Sequence, residues 1–203
     1  MMRGWRFTGD AAPLPTHAFG TASLTWWGVV GFMLIEGTGF ALAIASYFFL
    51  MAQEKQWPSG ALPPDLLWGT IATVVMLLSE LPNIWLKRMA EAERIGPVRA
   101  GLVIVALFGV ALLVIRGFEF AHLNIGWDRN AYASILWALL LLHTVHLLTD
   151  FVDTVVLAAL MFTPHGLEGR RFVDTSENAL YWHFVVLSWL VIYAIIYWVP
   201  RLG

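Results

Sequence analysis

Five stretches of this chain are so long and so apolar that only a lipid bilayer accounts for them. They cover about 26–51, 66–86, 98–116, 131–162 and 178–200. A transmembrane helix needs about 20 mostly apolar residues, each adding about 1.5 Å. The runs are continuous, whereas barrel strands would alternate in character over about ten residues. The expected fold is an all-α integral membrane protein, a bundle of five transmembrane helices. The pieces between the runs, "AQEKQWPSGALPPD", "KRMAEAERIGP", "GFEFAHLNIGWDRN" and "TPHGLEGRRFVDTS", hold the turn formers and much of the charge. The fourth run would be roughly 48 Å long as a helix, so it has to tilt or protrude.

Composition agrees and removes other classes. The chain is 59% hydrophobic and 13% charged, about half the charged share of a soluble domain. With no cysteine there are no disulfides, thiolate ligands or thiol nucleophiles. A net charge of −2 without a long basic stretch gives no reason to expect a nucleic-acid partner. The first apolar run is too long for a signal-peptide core and is read as a retained span. Residues 1–25 are then an N-terminal segment and 26–203 a single membrane domain.

Lys and Arg set the expected orientation. With the N-terminus inside, Arg3, Arg6, Lys87, Arg88, Arg94, Arg99, Arg170 and Arg171 are cytoplasmic; Lys55, Arg116, Arg129 and Arg201 are outside. Eight against four favours a cytoplasmic N-terminus and an external C-terminus. Trp26, Trp27, Trp57, Trp68, Trp127, Trp182 and Trp198 fall near expected helix ends, where aromatic belts form.

Titratable groups at membrane depth are costly and turn toward protein or a water-filled cavity. Residues 141–154, "LLHTVHLLTDFVDT", place His143, His146, Asp150 and Asp153 at spacings of 3, 4 and 3, one stripe of a helix. Counting along the helices puts Glu36 about 15 Å from the cytoplasmic side and His143, His146, His183 and Glu80 within about 7–12 Å of it. Asp150 falls at the interface. These residue types allow a metal site, a proton relay, or buried groups hydrogen-bonded between helices. Only the last needs no further ligand and no complete path, because the outer half offers just Glu119 and His122. Glu36 sits in "GFMLIEGTGFALA", where Gly31, Gly37 and Gly39 allow a close approach of helix or lipid tail. Glu80 sits in "SELPN", beside Pro82, which frees a backbone carbonyl and can kink a helix.

The order of these marks is itself informative: a glutamate within the first helix ("LIEGTGFALAIASYF"), "GFEFAHL" at the end of the third, "LLHTVH" in the fourth, and "ENALYWHFVVLSWLVIYAIIYWVPR" as the fifth. From about Trp26 to Arg201 the chain resembles subunit III of the haem–copper terminal oxidases, the cytochrome c oxidase and quinol oxidase group, in its short five-helix bacterial form. Glu36, Glu119, His143, His146, Trp182 and His183 are the matching positions. The resemblance implies a non-catalytic subunit in a bacterial cytoplasmic membrane that binds no cofactor of its own. Haem and copper would belong to partner subunits I and II, with subunit I the main contact. It also implies phospholipid bound in a cleft, and a role for Glu36 in sustaining proton uptake and protecting the oxidase during turnover.

The chain departs from the family's pattern at several places. Thr144 stands where Gly is usual, Asp150 where a small residue is usual, Val186 where Asp is usual, and Arg116 where Gln is frequent. The swap at 150 and 186 suggests that an acidic partner for His143, His146 and His183 has moved from the fifth helix to the fourth. The expected buried polar cluster is His143, His146, Asp150, His183 and Glu80. A subunit III-like accessory protein of a nitric oxide reductase, a stand-alone transporter and an intramembrane metalloenzyme are the rival readings.

Overall fold

The computed structural model describes residues 15–202. Arg3 and Arg6 of the orientation count, with the rest of residues 1–14, lie outside the described residues, as does Gly203. The protein is all-helical, with five helices long and apolar enough to cross a membrane: α1 (Leu24–Gln53), α2 (Leu66–Glu91), α3 (Ile95–Ala121), α4 (Ala131–Met161) and α5 (Gly169–Leu202).

Local chemistry sets the helix starts. A helix leaves its first backbone N–H groups without internal partners, and a short polar side chain just before it can accept from them. Ser23 accepts from Thr25 N at 3.1 Å, Asp65 from Leu67 N at 3.3 Å and Asn130 from Ala133 N at 2.8 Å. The helix α2 stays helical across Pro82.

Two helices outrun their apolar cores. The helix α3 continues past Arg116 to Ala121, carrying Glu119. The helix α5 begins at Gly169, nine residues ahead of the expected 178, because the polar stretch "GRRFVDTSE" remains helical. Hydropathy marks where lipid can surround a helix. It does not mark where backbone hydrogen bonding stops, and Phe172, Val173, Thr175, Ser176 and Glu177 are buried against neighbouring protein. Near its other end α5 widens into one π-helical turn, Ala194–Trp198, which carries the buried Tyr197.

The helices α2, α3, α4 and α5 pack as a bundle in which α2 lies between α3 and α5, and α4 closes the other side. Its core is aromatic, with Trp182, Trp189, Tyr132 and Tyr197 among leucines such as Leu136, Leu139 and Leu140. Gly109 shows why α3 and α4 approach closely: a Cβ there would meet Phe151 at 2.6 Å, so a small residue is required at this crossing. Gly31 and Gly39, where a close approach of helix or lipid tail was expected, meet no neighbouring helix within 4 Å, and Gly37 is in ordinary contact with Phe184 at 3.7 Å.

The helix α1 is the exception to this packing. Only 6% of its most apolar window is buried, against 33–44% in the other four. It touches α4 and α5 and leaves Leu34, Ile35 and Phe49 exposed. Such a surface suits hydrocarbon and not water. A cleft of about 630 Å³ opens between α1 and the α4–α5 pair.

Candidate functional site: a polar cleft beside α1

The cleft has two kinds of wall. Val29, Phe32, Val145, Val156, Leu157 and Leu160 supply apolar surface, and Glu36, His146, Asp150, Asp153, Glu177 and Tyr181 supply polar groups. Glu36 projects from α1 toward both neighbouring helices. Its Oε2 accepts from the Tyr181 hydroxyl of α5 at 2.6 Å, and its Oε1 lies 3.2 Å from Nε2 of His146 on α4. His146 turns its other nitrogen, Nδ1, to the Leu142 carbonyl one turn earlier, at 2.6 Å. A carbonyl oxygen only accepts, so Nδ1 carries hydrogen. Nε2 therefore faces the Glu36 carboxyl at ion-pair distance, while the Tyr181 hydroxyl donates to the other carboxyl oxygen. Phe40, one turn after Glu36, lays its ring 4.7 Å from the imidazole.

His143, three residues earlier on α4, belongs to a different assembly. It is fully buried. Its Nε2 donates to the Val185 carbonyl at 3.0 Å, and its Nδ1 accepts from Arg116 Nη2 at 3.2 Å. Each nitrogen has one complementary partner, which fixes a neutral ring in one tautomer. Arg116 also donates to Glu119 at 2.5 Å and stacks over Trp189, 4.0 Å from the ring centroid. Tyr197, from the π-helical turn, donates to the second Glu119 oxygen. Arg116, counted among the outer-side cations, is thus buried inside the protein, and α3, α4 and α5 meet around it.

The five residues expected as one cluster are divided among separate pairings. His183 Nδ1 meets Glu80 Oε2 at 2.5 Å between α5 and α2. Next to them Trp182 donates to Ser79 Oγ at 3.0 Å, and Asn83 donates to the Ala179 carbonyl at 3.0 Å. Trp182 is buried, so it ties α5 to α2 and is no part of an interfacial belt. Asp150 bonds to no histidine among the described residues. Its Oδ1 accepts from Asn178 Nδ2 at 3.3 Å, and the same amide reaches Asp153 Oδ2 at 3.2 Å. The idea that Asp150 replaces an acid lost at 186 is therefore corrected: Glu36 and Glu80 serve His146 and His183, while Arg116 and a backbone carbonyl serve His143. A three-residue step on a helix turns a side chain by about 60°, enough to send His143 and His146 into different neighbours.

Among the described residues no three His, Asp or Glu groups converge closely enough to hold a metal ion. Tyr181, Asn178, Glu177 and Arg116 complete the site and its support, though residue type alone did not single them out. For Arg116 a signal existed: Arg and Glu three apart pair on one helix face, provided the helix continues past 116.

No protein-family model matches the chain. Among curated proteins it is similar to cytochrome c oxidase subunit 3 of Thermostichus vulcanus, at 21% identity over 177 residues, 86% of this chain and 87% of the relative. It is 25% identical over 184 residues to cytochrome bo(3) ubiquinol oxidase subunit 3 of Pseudomonas aeruginosa, covering 89% and 88% of the two chains. The cytochrome c oxidase subunit 3 of Corynebacterium diphtheriae is 25% identical over 199 residues, 93% and 95%. Relatives that are subunits of quinol and of cytochrome c oxidases, matched over nearly their full length, are consistent with a divergent subunit III.

Proposed function

We propose that this relative of oxidase subunits 3 serves as the non-catalytic subunit III of a proton-pumping haem–copper terminal oxidase in a bacterial cytoplasmic membrane. The haem and copper centres belong to partner subunits I and II. The chain itself binds no cofactor and contributes complex stability, a phospholipid-filled cleft and support of proton uptake by subunit I. One observation carries this reading: Glu36, on the loosely packed α1, lies 3.2 Å from His146 and 2.6 Å from the Tyr181 hydroxyl on the wall of an open cleft. A carboxyl placed so has an imidazole beside it and the cleft before it, and the Tyr181 hydroxyl holds it in position.

The orientation proposed puts the N-terminus inside. Lys87, Arg88 and Arg94 near the α2–α3 turn and Arg170 and Arg171 at the start of α5 then face the cytoplasm, as the preference of short loops for Lys and Arg requires. The acidic mouth of the cleft lies at the same end as this basic rim.

The test is purification of the tagged chain from its native membrane. Haem-containing partners that reduce O₂ should come with it, and removing the chain should shorten the catalytic lifetime of the complex without abolishing O₂ reduction. Haem-free purification as a lone protein would overturn the assignment and favour a transporter. Co-purification with nitric oxide reductase activity would move the chain to another complex.

A further inference from the structure

The two halves of α1 are held very differently. The C-terminal half is anchored in the core: Phe40 and Tyr47 are buried, and Ala43, Ile44 and Met51 pack against the main apolar cluster. Tyr47 also accepts from Trp57 Nε1 at 2.8 Å. None of residues 24–36 is buried. Thr25, Gly28, Val29 and Phe32 line the cleft instead of packing across it. Between the halves stands Gly37-Thr38-Gly39. A Cβ on Gly39 would meet nothing within 4 Å, and one on Gly37 only Phe184 at 3.7 Å, so neither glycine is required by a close helix approach. Glycine in a helix interior loosens it. Thr38 Oγ1 donates to the Leu34 carbonyl one turn back at 2.8 Å, a bond that favours bending. Ahead of the helix, the Thr16 carbonyl accepts from Ser23 Oγ at 3.0 Å and from Thr25 Oγ1 at 2.5 Å. This ties the preceding segment to the first turn of α1. Phe19, in that segment, is half-buried against the apolar cluster of Leu86, Val98 and Met161 contributed by α2, α3 and α4.

We infer that the N-terminal half of α1 is a gate, which swings about Gly37-Thr38-Gly39, is latched by Phe19, and opens the cleft sideways. Hinges are a few residues, often small, that absorb a change of backbone angle between rigid parts. Here the rigid part is the C-terminal half, because moving it would draw Phe40 and Tyr47 out of the core. The lever from residue 38 to residue 24 is about 21 Å long. A further bend of about 20°, the size at which a helix counts as kinked, carries its tip about 7 Å. The same bend moves the backbone at Glu36 by only about 1 Å, because Glu36 lies two residues from the pivot. The bonds of Glu36 to Tyr181 and its contact with His146 therefore steady the pivot and leave the tip free. A contact at the tip has the greatest leverage, and Phe19 supplies it. Opening parts Val29 and Phe32 of α1 from Val156 and Leu160 of α4 across the cleft, and so sets how far Glu36 is accessible from the bilayer. The gate is a property of this chain, whichever complex it joins.

The test measures distances between paired spin labels on the full chain in lipid nanodiscs. The chain has no cysteine, so introduced cysteines are labelled uniquely. One reference label is placed at Leu107→Cys on α3, a position 64% exposed. It is paired in turn with Leu24→Cys at the tip of the lever and with Phe49→Cys in the anchored half, 40% and 66% exposed. The tip pair should show two distances, and the anchored pair one. Phe19→Ala should raise the share of the second tip distance by about fivefold, as loss of a half-buried phenylalanine contact implies. Gly37→Ala/Gly39→Ala, for which the helix has room, should remove that second distance. An unchanged anchored-pair distance shows in each variant that the bundle has folded, and the glycine variant carries the test where Phe19→Ala fails this check. A single tip distance, the same with and without Phe19, overturns the gate. Two tip distances that persist in the glycine variant overturn the hinge at 37–39, and two distances in the anchored pair overturn the division of α1 into a fixed and a moving half.

Discussion

Arg116 and Glu119 lie one turn apart on α3 and meet at 2.5 Å, with side-chain exposures of 2% and 1%. A charge pair removed this completely from solvent persists because most of its groups are engaged, with Nε of Arg116 the one left without a partner among the described residues. Trp189 covers the guanidinium face, His143 accepts from its free edge, and Tyr197 donates to the carboxylate. Removing one partner strands the other. Arg116→Met should therefore lower stability by about 3–5 kcal/mol, read as an earlier thermal unfolding in detergent. The double change Arg116→Met/Glu119→Gln removes both charges and should recover much of the loss. A double variant as unstable as the single one would show that the pair is not the reason.

Glu36 and Tyr181 permit a test of the role proposed for this carboxyl. Glu36→Gln keeps an acceptor for the Tyr181 hydroxyl but removes the ionisable group beside His146. In the oxidase complex it should leave initial O₂ reduction intact and hasten inactivation during turnover. Tyr181→Phe leaves the carboxyl in place and removes one hydrogen bond, worth about 1.5–3 kcal/mol where the acceptor is ionised. It should act in the same direction and more weakly. Turnover followed to exhaustion measures both, and unchanged lifetimes in the Glu36→Gln enzyme would free Glu36 from the assigned role.

The contrast between what was legible in the sequence and what was not has a physical basis. Helix number follows from apolar runs, because only lengths near 20 residues satisfy the bilayer. The stripe of His143, His146, Asp150 and Asp153 follows from helical spacing. Partner choice does not, since it depends on which helix lies across the way and how it is rotated. His143 and His146 share a stripe yet find Arg116 and Glu36. Asp150, expected to serve the histidines, lies more than a turn further along α4 and meets Asn178 instead. The Arg116–Glu119 pair was hidden by ending α3 where its hydrophobicity ends, although helical hydrogen bonding carries it to Ala121.

Asp150 and Asp153 share one amide, and their burial separates what substitution does to each. Asp150 is 3% exposed with an oxygen that has no partner among the described residues; Asp153 is more exposed. Asp150→Asn keeps the acceptor that faces Asn178 and replaces the orphaned oxygen by a donor. In detergent it should leave thermal stability unchanged or raise it by about 1 kcal/mol. Asp153→Asn should change it by less. Thermal unfolding of the two variants side by side decides this, and a marked loss for Asp150→Asn would mean that its charge has a partner within the protein.

Glu80 and His183 form the other acid–imidazole pair, and it is the more open one, with side-chain exposures of 18% and 30%. Glu80 lies near the middle of α2, so this face meets hydrocarbon or a partner and not water. Hydrogen bonds between membrane helices contribute about 0.6 kcal/mol on average and up to about 1.7. A 2.5 Å contact between an acid and an imidazole belongs toward the upper end of that range. A double-mutant cycle of Glu80→Ala and His183→Ala should give a coupling of about 1–2 kcal/mol, with the double variant little worse than either single one. Additive losses would mean that each residue acts through other contacts. For Glu80 the nearest support is then the Trp182–Ser79 bond beside it, and Trp182→Phe would reproduce its effect.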